Sequence, residues 1–180
     1  MVVLANPGTP QEVEDEHYGG KTAADVAAAS WRFTEAVLER RARPRLGAGR
    51  SVTHDVLMRH LAEDVFDCAI DQVLDRVVVT NAVKCSTPEN LGAYPADLRL
   101  EISRRCTAMH LEPEVAYWRP PLVVACGRAT REVLATCGIF SQLSIEIIET
   151  HHPSALGRYI AERKEQFRAI GARLRRHTAS

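Results

Sequence analysis

Val2-Val3-Leu4-Ala5-Asn6-Pro7-Gly8 is an apolar, β-branched run that stops at a proline turn, and Glu149-Thr150-His151-His152-Pro153-Ser154 ends the same way. Proline pushes the residue before it into an extended conformation and cannot continue a strand ladder. Each segment therefore predicts a strand that delivers one polar side chain, Asn6 or His152, at its C-terminal end. Open α/β sheets build their ligand crevices at that end. A third run, Val77-Val78-Val79-Thr80-Asn81-Ala82-Val83-Lys84, brings Asn81 to the end of another strand.

Working outward, four strands are expected, at residues 2–6, 76–84, 121–127 and 145–151. The first three are dominated by apolar β-branched residues, as parallel strands covered on both faces require. The fourth, Ile145-Glu146-Ile147-Ile148-Glu149, alternates more and suits a sheet edge. Helical spacing fills the intervals: 23–41, ending before Pro44; two shorter helices at 52–63 and 65–74; 95–117, with a break expected at Pro113; 128–137, stopped by Gly138; and 156–176. An internal proline costs a helix roughly 3 kcal/mol, hence the expected break. The last helix places Ile160, Phe167, Ile170 and Leu174 on one face. Strands alternating with helices give a three-layer α/β/α sandwich with a mostly parallel four-stranded sheet, in a single domain over residues 1–180.

A chain of 180 residues with 46% apolar and 26% charged residues has the make-up of an ordinary globular domain. No apolar run approaches the ~20 residues of a membrane span, and no signal-peptide pattern opens the chain. A cytoplasmic monomer with no membrane partner is expected. The five cysteines, an odd number, lie mostly inside strand or helix patterns, which argues for thiols or metal ligands rather than a disulfide framework. Net charge is zero, but acids gather at residues 11–16 and 63–75. The last helix carries Arg158, Arg163, Lys164, Arg168, Arg173, Arg175 and Arg176 against Glu162 and Glu165. That helix is either a solvated face or a phosphate-facing patch.

Together these segments resemble the uracil-DNA glycosylase superfamily, which has a proline-containing water-activating motif after its first strand, a base-reading Asn and a late His-Pro-Ser. Thr80-Asn81-Ala82-Val83-Lys84-Cys85 and Pro121-Leu122-Val123-Val124-Ala125-Cys126-Gly127-Arg128-Ala129-Thr130 are similar to the family-four branch. Asn6-Pro7-Gly8 is closer to the mismatch-specific and single-strand-selective branches, with Leu4 where a Gly commonly opens the motif. Family-four members carry a helix and two cysteines ahead of the first strand, whereas only Met1 precedes Val2 here. Either this branch dispenses with that segment or the start has been placed too late.

The resemblance implies a DNA-repair glycosylase that flips a deaminated base, uracil first among them, and hydrolyses its N-glycosidic bond. His152 would donate a hydrogen bond to uracil O2 as negative charge develops there. Asn6 would position the attacking water, since an amide can accept from and donate to water but cannot take its proton. Asn81 would read the base, donating to O4 and accepting from N3–H, a pattern that cytosine reverses. Tyr18 would wall the flipped base, Pro7 and Gly8 would let the backbone approach it, and Ser154 would bind beside it. Gly127 and Arg128, at a helix start, and Arg158 are the expected phosphate contacts.

Cys85 and Cys106 match the later two ligands of the family-four iron–sulfur cluster. A 4Fe-4S cluster needs four thiolates, so none is expected unless an upstream cysteine pair is missing from this chain. The alternative within the same fold is a catalytically inactive DNA- or nucleotide-binding member. A third reading is an unrelated doubly wound hydrolase. If Asn6, His152 and Asn81 face one pocket, the enzyme reading is favoured.

Overall fold

Alternation along each strand separates two apolar cores, one on either face of a sheet. The computed structural model of the protein describes residues 1–5, 22, 52–83, 95–157 and 159–178. The chain divides into two units, Met1–Thr9 with Ser51–Ser180, and Pro10–Arg50. All four strands belong to the first unit; the helix expected at 23–41 lies outside the described residues.

Four strands, β1 (Val2–Leu4), β2 (Val79–Asn81), β3 (Leu122–Cys126) and β4 (Glu146–Thr150), form one sheet in the order β2-β1-β3-β4. Every pairing is parallel. The expected three-layer fold is present, with a sheet that is parallel throughout and the alternating β4 at its edge. Each strand is shorter than its apolar run. Hydrogen bonding to β1 nonetheless continues past the last paired residue of β2, where the Ala82 N–H reaches Leu4 O at 2.8 Å.

On one face, Val2, Leu122, Val124 and Cys126 pack under Leu57, Leu61, Val65, Phe167 and Ile170. These come from α1 (Val52–His60), the turn that follows it, and the C-terminal helix α6 (Tyr159–Thr178). On the other face, Val3, Val123 and Ala125 pack against Leu111, Val115, Val133, Leu134 and Phe140. Those belong to the wide turn Thr107–Leu111 that joins α2 (Ala96–Cys106) to its continuation α3 (Glu112–Trp118), to α3 itself, to α4 (Arg128–Leu134) and to α5 (Ile139–Gln142). A single fully buried side chain of this kind contributes about 1.5–3 kcal/mol.

Three sequence expectations need correction. The break between 52–63 and 65–74 falls later: α1 runs on into a wide, π-type turn at Leu61–Phe66 and stops at Asp67, whose φ of 48° is left-handed. Asp tolerates that conformation better than most residues, and a 3₁₀ turn follows at Ile70–Asp75. Residues 95–117 do not break at Pro113. The helix widens instead, at Thr107–Leu111, where the Glu112 N–H bonds to Thr107 O five residues back. Proline lacks the N–H and crowds the carbonyl of the preceding turn, and a widened turn relieves both. Finally, α4 ends at Leu134 rather than at residue 137.

The strand order fixes where a ligand can bind. From β1 the chain moves to β2 on one side, and from β3 it moves to β4 on the other. β1 and β3 thus flank a topological switch point, and in open α/β sheets the carboxyl ends of the strands at such a point are where ligands bind.

Candidate active site

The carboxyl ends of the four strands are nearly level. Leu4 is in register with Asn81, and Cys126 with Thr150. Asn81 thus closes β2 on one side of the crevice, half-buried, while the His-Pro-Ser segment leaves β4 on the other. Two intervening strands separate them, so the gap is three strand spacings, roughly 14 Å.

Past Thr150, successive side chains diverge. His151 turns toward α6: its backbone N–H donates to Gln166 Oε1 at 2.8 Å and its Nε2 meets Glu162 Oε2 at 2.8 Å. Its ring also tilts against Tyr159. His152 instead lies over Gly127 and meets Ser154. Pro153 then occupies the second position of a tight turn closed by Ala155 N–H to His152 O, at 2.9 Å.

The His152 ring is oriented from two sides. Its Nδ1 accepts the Ser154 backbone N–H at 3.3 Å and lies 2.7 Å from the Ser154 hydroxyl. A backbone amide only donates, so Nδ1 is the bare nitrogen and the neutral ring carries its proton on Nε2. Burial, and then the Arg163 charge, hold the His152 pKa below its ordinary value. The neutral ring, its Nε2–H without a partner among the described residues, is the form present at neutral pH.

Below the ring lies Gly127, which ends β3 with φ of 91° and ψ of 155°, a conformation that is essentially glycine's alone. A Cβ there would stand 3.3 Å from the His152 Cβ. Gly127 also ties the two strands together, donating its N–H to Thr150 O at 2.7 Å. Glycine here serves to seat the histidine.

Arg128 opens α4 and is largely exposed, paired with Glu132 at 2.9 Å. The basic face of α6 is engaged internally. Arg168 pairs with Asp64 and Arg173 with Glu146, while Arg175 reaches Val65 O. Asn6, Pro7, Gly8, Tyr18, Cys85 and Arg158 lie outside the described residues. Cys106 is buried beside Val83 and Ile102. Among the described residues no group of three or more His, Cys, Asp or Glu side chains could hold a metal ion. Cys126 is a core thiol, its pKa pushed up to about 11 by burial. No described helix is long and apolar enough to cross a membrane.

The structure adds features to which the sequence reading gave no role. Leu156, two residues past Ser154, is 77% exposed. Arg163, by contrast, is only 4% exposed and donates to His152 O, Pro153 O and Ala155 O at 3.2, 2.7 and 2.9 Å. It also donates to His60 at 3.1 Å.

No curated protein and no solved structure matches the chain significantly. The family profile described as Uracil DNA glycosylase superfamily matches residues 6–175. That span takes in the β1 exit, Asn81, the β3–α4 junction, the His-Pro-Ser turn and nearly all of α6. On this match the chain belongs to the uracil DNA glycosylase superfamily.

Proposed function

We propose that the protein is a DNA-repair glycosylase that extrudes a deaminated base, uracil first among candidates, and hydrolyses its N-glycosidic bond. The observation that carries this reading is the His152 ring, neutral, with Nδ1 occupied by Ser154 and Nε2–H left to donate. When the N1–C1′ bond breaks, the electron pair leaves with the base and negative charge gathers on uracil O2. A neutral donor fixed in advance stabilises that oxygen without having to reorganise. Asn6 holds the attacking water on the opposite face of the sugar. The water oxygen bonds to C1′, and its surplus proton passes to solvent or to the departed base.

Asn81, across the crevice, reads the base edge. The gap between it and the His-Pro-Ser turn suits a single nucleobase contacted from both sides. Exposed Leu156 lies beside that turn, where an apolar wedge entering the stack would fill the space the flipped base leaves. Ser154, Arg128 and Arg158 are assigned to the phosphates flanking the lesion, whereas Gly127, whose N–H is given to Thr150 O, seats His152.

The test is incubation of the full chain with oligonucleotides carrying uracil, hypoxanthine, xanthine or a thymine mispair, followed by alkali. Scission at the uracil strand supports the reading, and scission at none of them refutes it in favour of a binding-only protein. Asn6→Ala and His152→Ala should each slow excision by at least about 100-fold with the fold intact.

A further inference from the structure

The His-Pro-Ser turn is held from within by a chain of four side chains that reaches from α6 into the turn after α1. Arg163 occupies the centre. Its Nη1 faces three carbonyls of the turn, those of His152, Pro153 and Ala155. Its Nε donates to His60 Nε2 at 3.1 Å. A guanidinium can only donate, so His60 Nε2 is bare and His60 Nδ1 carries the proton. That proton is given to Asp64 Oδ2 at 2.8 Å. The other Asp64 oxygen accepts from Arg168 Nε at 3.2 Å.

Packing removes the slack from this chain. The Asp64 side chain is only 4% exposed. The His60 ring lies flat on Phe167, centroids 5.0 Å apart and planes within 5°. Phe167 sits one turn along α6 from Arg163 and is fully buried. The guanidinium plane is thus aimed by His60 rather than left to rotate. Three carbonyls converging on one nitrogen restrain the turn, because moving it away from Arg163 breaks several hydrogen bonds at once.

We propose that Arg163, aimed by the His60–Asp64 pair, is the positioning residue that sets the height and tilt of His152 over the crevice. The proposal rests on His152 acting as the leaving-group donor. Arg163 touches neither substrate nor the reacting atoms, and acts only through the turn. Displacing a reacting group by as little as 1 Å can slow chemistry by about 100-fold, while ground-state binding changes little. Arg163→Lys keeps the cation but cannot reach three carbonyls and His60 at once. His60→Phe keeps the stacking on Phe167 and removes the acceptor that aims the guanidinium.

The test uses the full chain in two arms. In the first, imidazole nitrogen NMR follows His152, identified by the signal lost in His152→Gln. The unaltered protein should give an Nε2–H tautomer, and Arg163→Lys and His60→Phe should each shift it toward a tautomer mixture. In the second, single-turnover excision should fall by about 10- to 100-fold in both variants, with half-saturating DNA changed less than about threefold. Thermal midpoints should stay within a few degrees. An unchanged His152 spectrum in both variants overturns the proposal, as does a rate loss that follows the thermal midpoint down. If the unaltered protein excises nothing, the glycosylase reading fails separately, and the tautomer arm alone still decides whether Arg163 orients the ring.

Discussion

Gly127 lies so close beneath His152 that an added methyl group would stand 3.3 Å from the histidine Cβ and 3.7 Å from its Cδ2. The glycine also has φ of 91°, where a side chain is strained whatever space it finds.

Gly127→Ala should therefore damage catalysis through the histidine rather than through phosphate binding. Strain of about 1–3 kcal/mol is expected at the backbone, and the ring must move to accommodate the methyl. Single-turnover excision should drop by about 10-fold or more, with a smaller change in DNA affinity. A variant that binds DNA poorly but excises normally once bound would return Gly127 to a phosphate-contact role.

The pH profile follows from the His152 environment. Burial and the Arg163 charge hold its pKa below the ordinary 6.5, and the donor must be neutral to keep Nδ1 bare for Ser154. Lowering pH through 6.5 should leave the excision rate nearly unchanged, and the loss should set in only at the lower folded value. Arg163→Gln, which removes the neighbouring cation, should move that acid limb upward. A limb centred at 6.5 or above in the unaltered protein would contradict this picture.

Base choice should depend on Asn81. In Asn81→Asp, a carboxyl group that is protonated or water-bridged can accept from the cytosine amine. Discrimination between uracil and cytosine should relax, read as the ratio of excision rates on matched oligonucleotides. Unchanged selectivity would assign base reading to another group.

Stability has its own critical contact where α6 meets the turn after α1. Gly171 of α6 crosses the Leu61–Phe66 turn so closely that a Cβ would come within 2.8 Å of Asp64 O and 2.9 Å of Val65 Cα. Both neighbours are backbone and cannot step aside. Gly171→Ala should cost about 1–3 kcal/mol and lower Tm by roughly 2–10 °C. Calorimetry on the full chain checks it, and an unchanged midpoint would mean that the helices slide apart without penalty.

The parallel sheet and its two faces were legible from β-branched runs ending at Pro7 and Pro153, because period-two alternation and proline termination are local properties. The position of His152 just past a strand end was legible for the same reason. Pro113 misled, because a helix can absorb a proline by widening one turn, and nothing in residues 107–111 announces that choice. Arg163 was hidden among the cations of α6. It occupies the gap in the stripe Ile160, Phe167, Ile170, Leu174, a position that should face the core. A charged residue in an apolar stripe was the available signal. Its partner His60 lies 103 positions away in sequence, so pairing could not be read from spacing.

The place of β1 in the sheet has a consequence for how the molecule is made. Val2 pairs with Val79 on one side and Val124 on the other, so the earliest strand is the one that needs the latest neighbours. During synthesis it emerges well before β2 and β3, and both its edges stay uncovered by these neighbours until Val124 has been made. Chains with such distant pairings fold slowly and expose apolar strand edges while they do. Slow refolding after dilution from denaturant, with yield falling as protein concentration rises, is the behaviour this topology dictates. The crevice between β1 and β3 would then be among the last features to form.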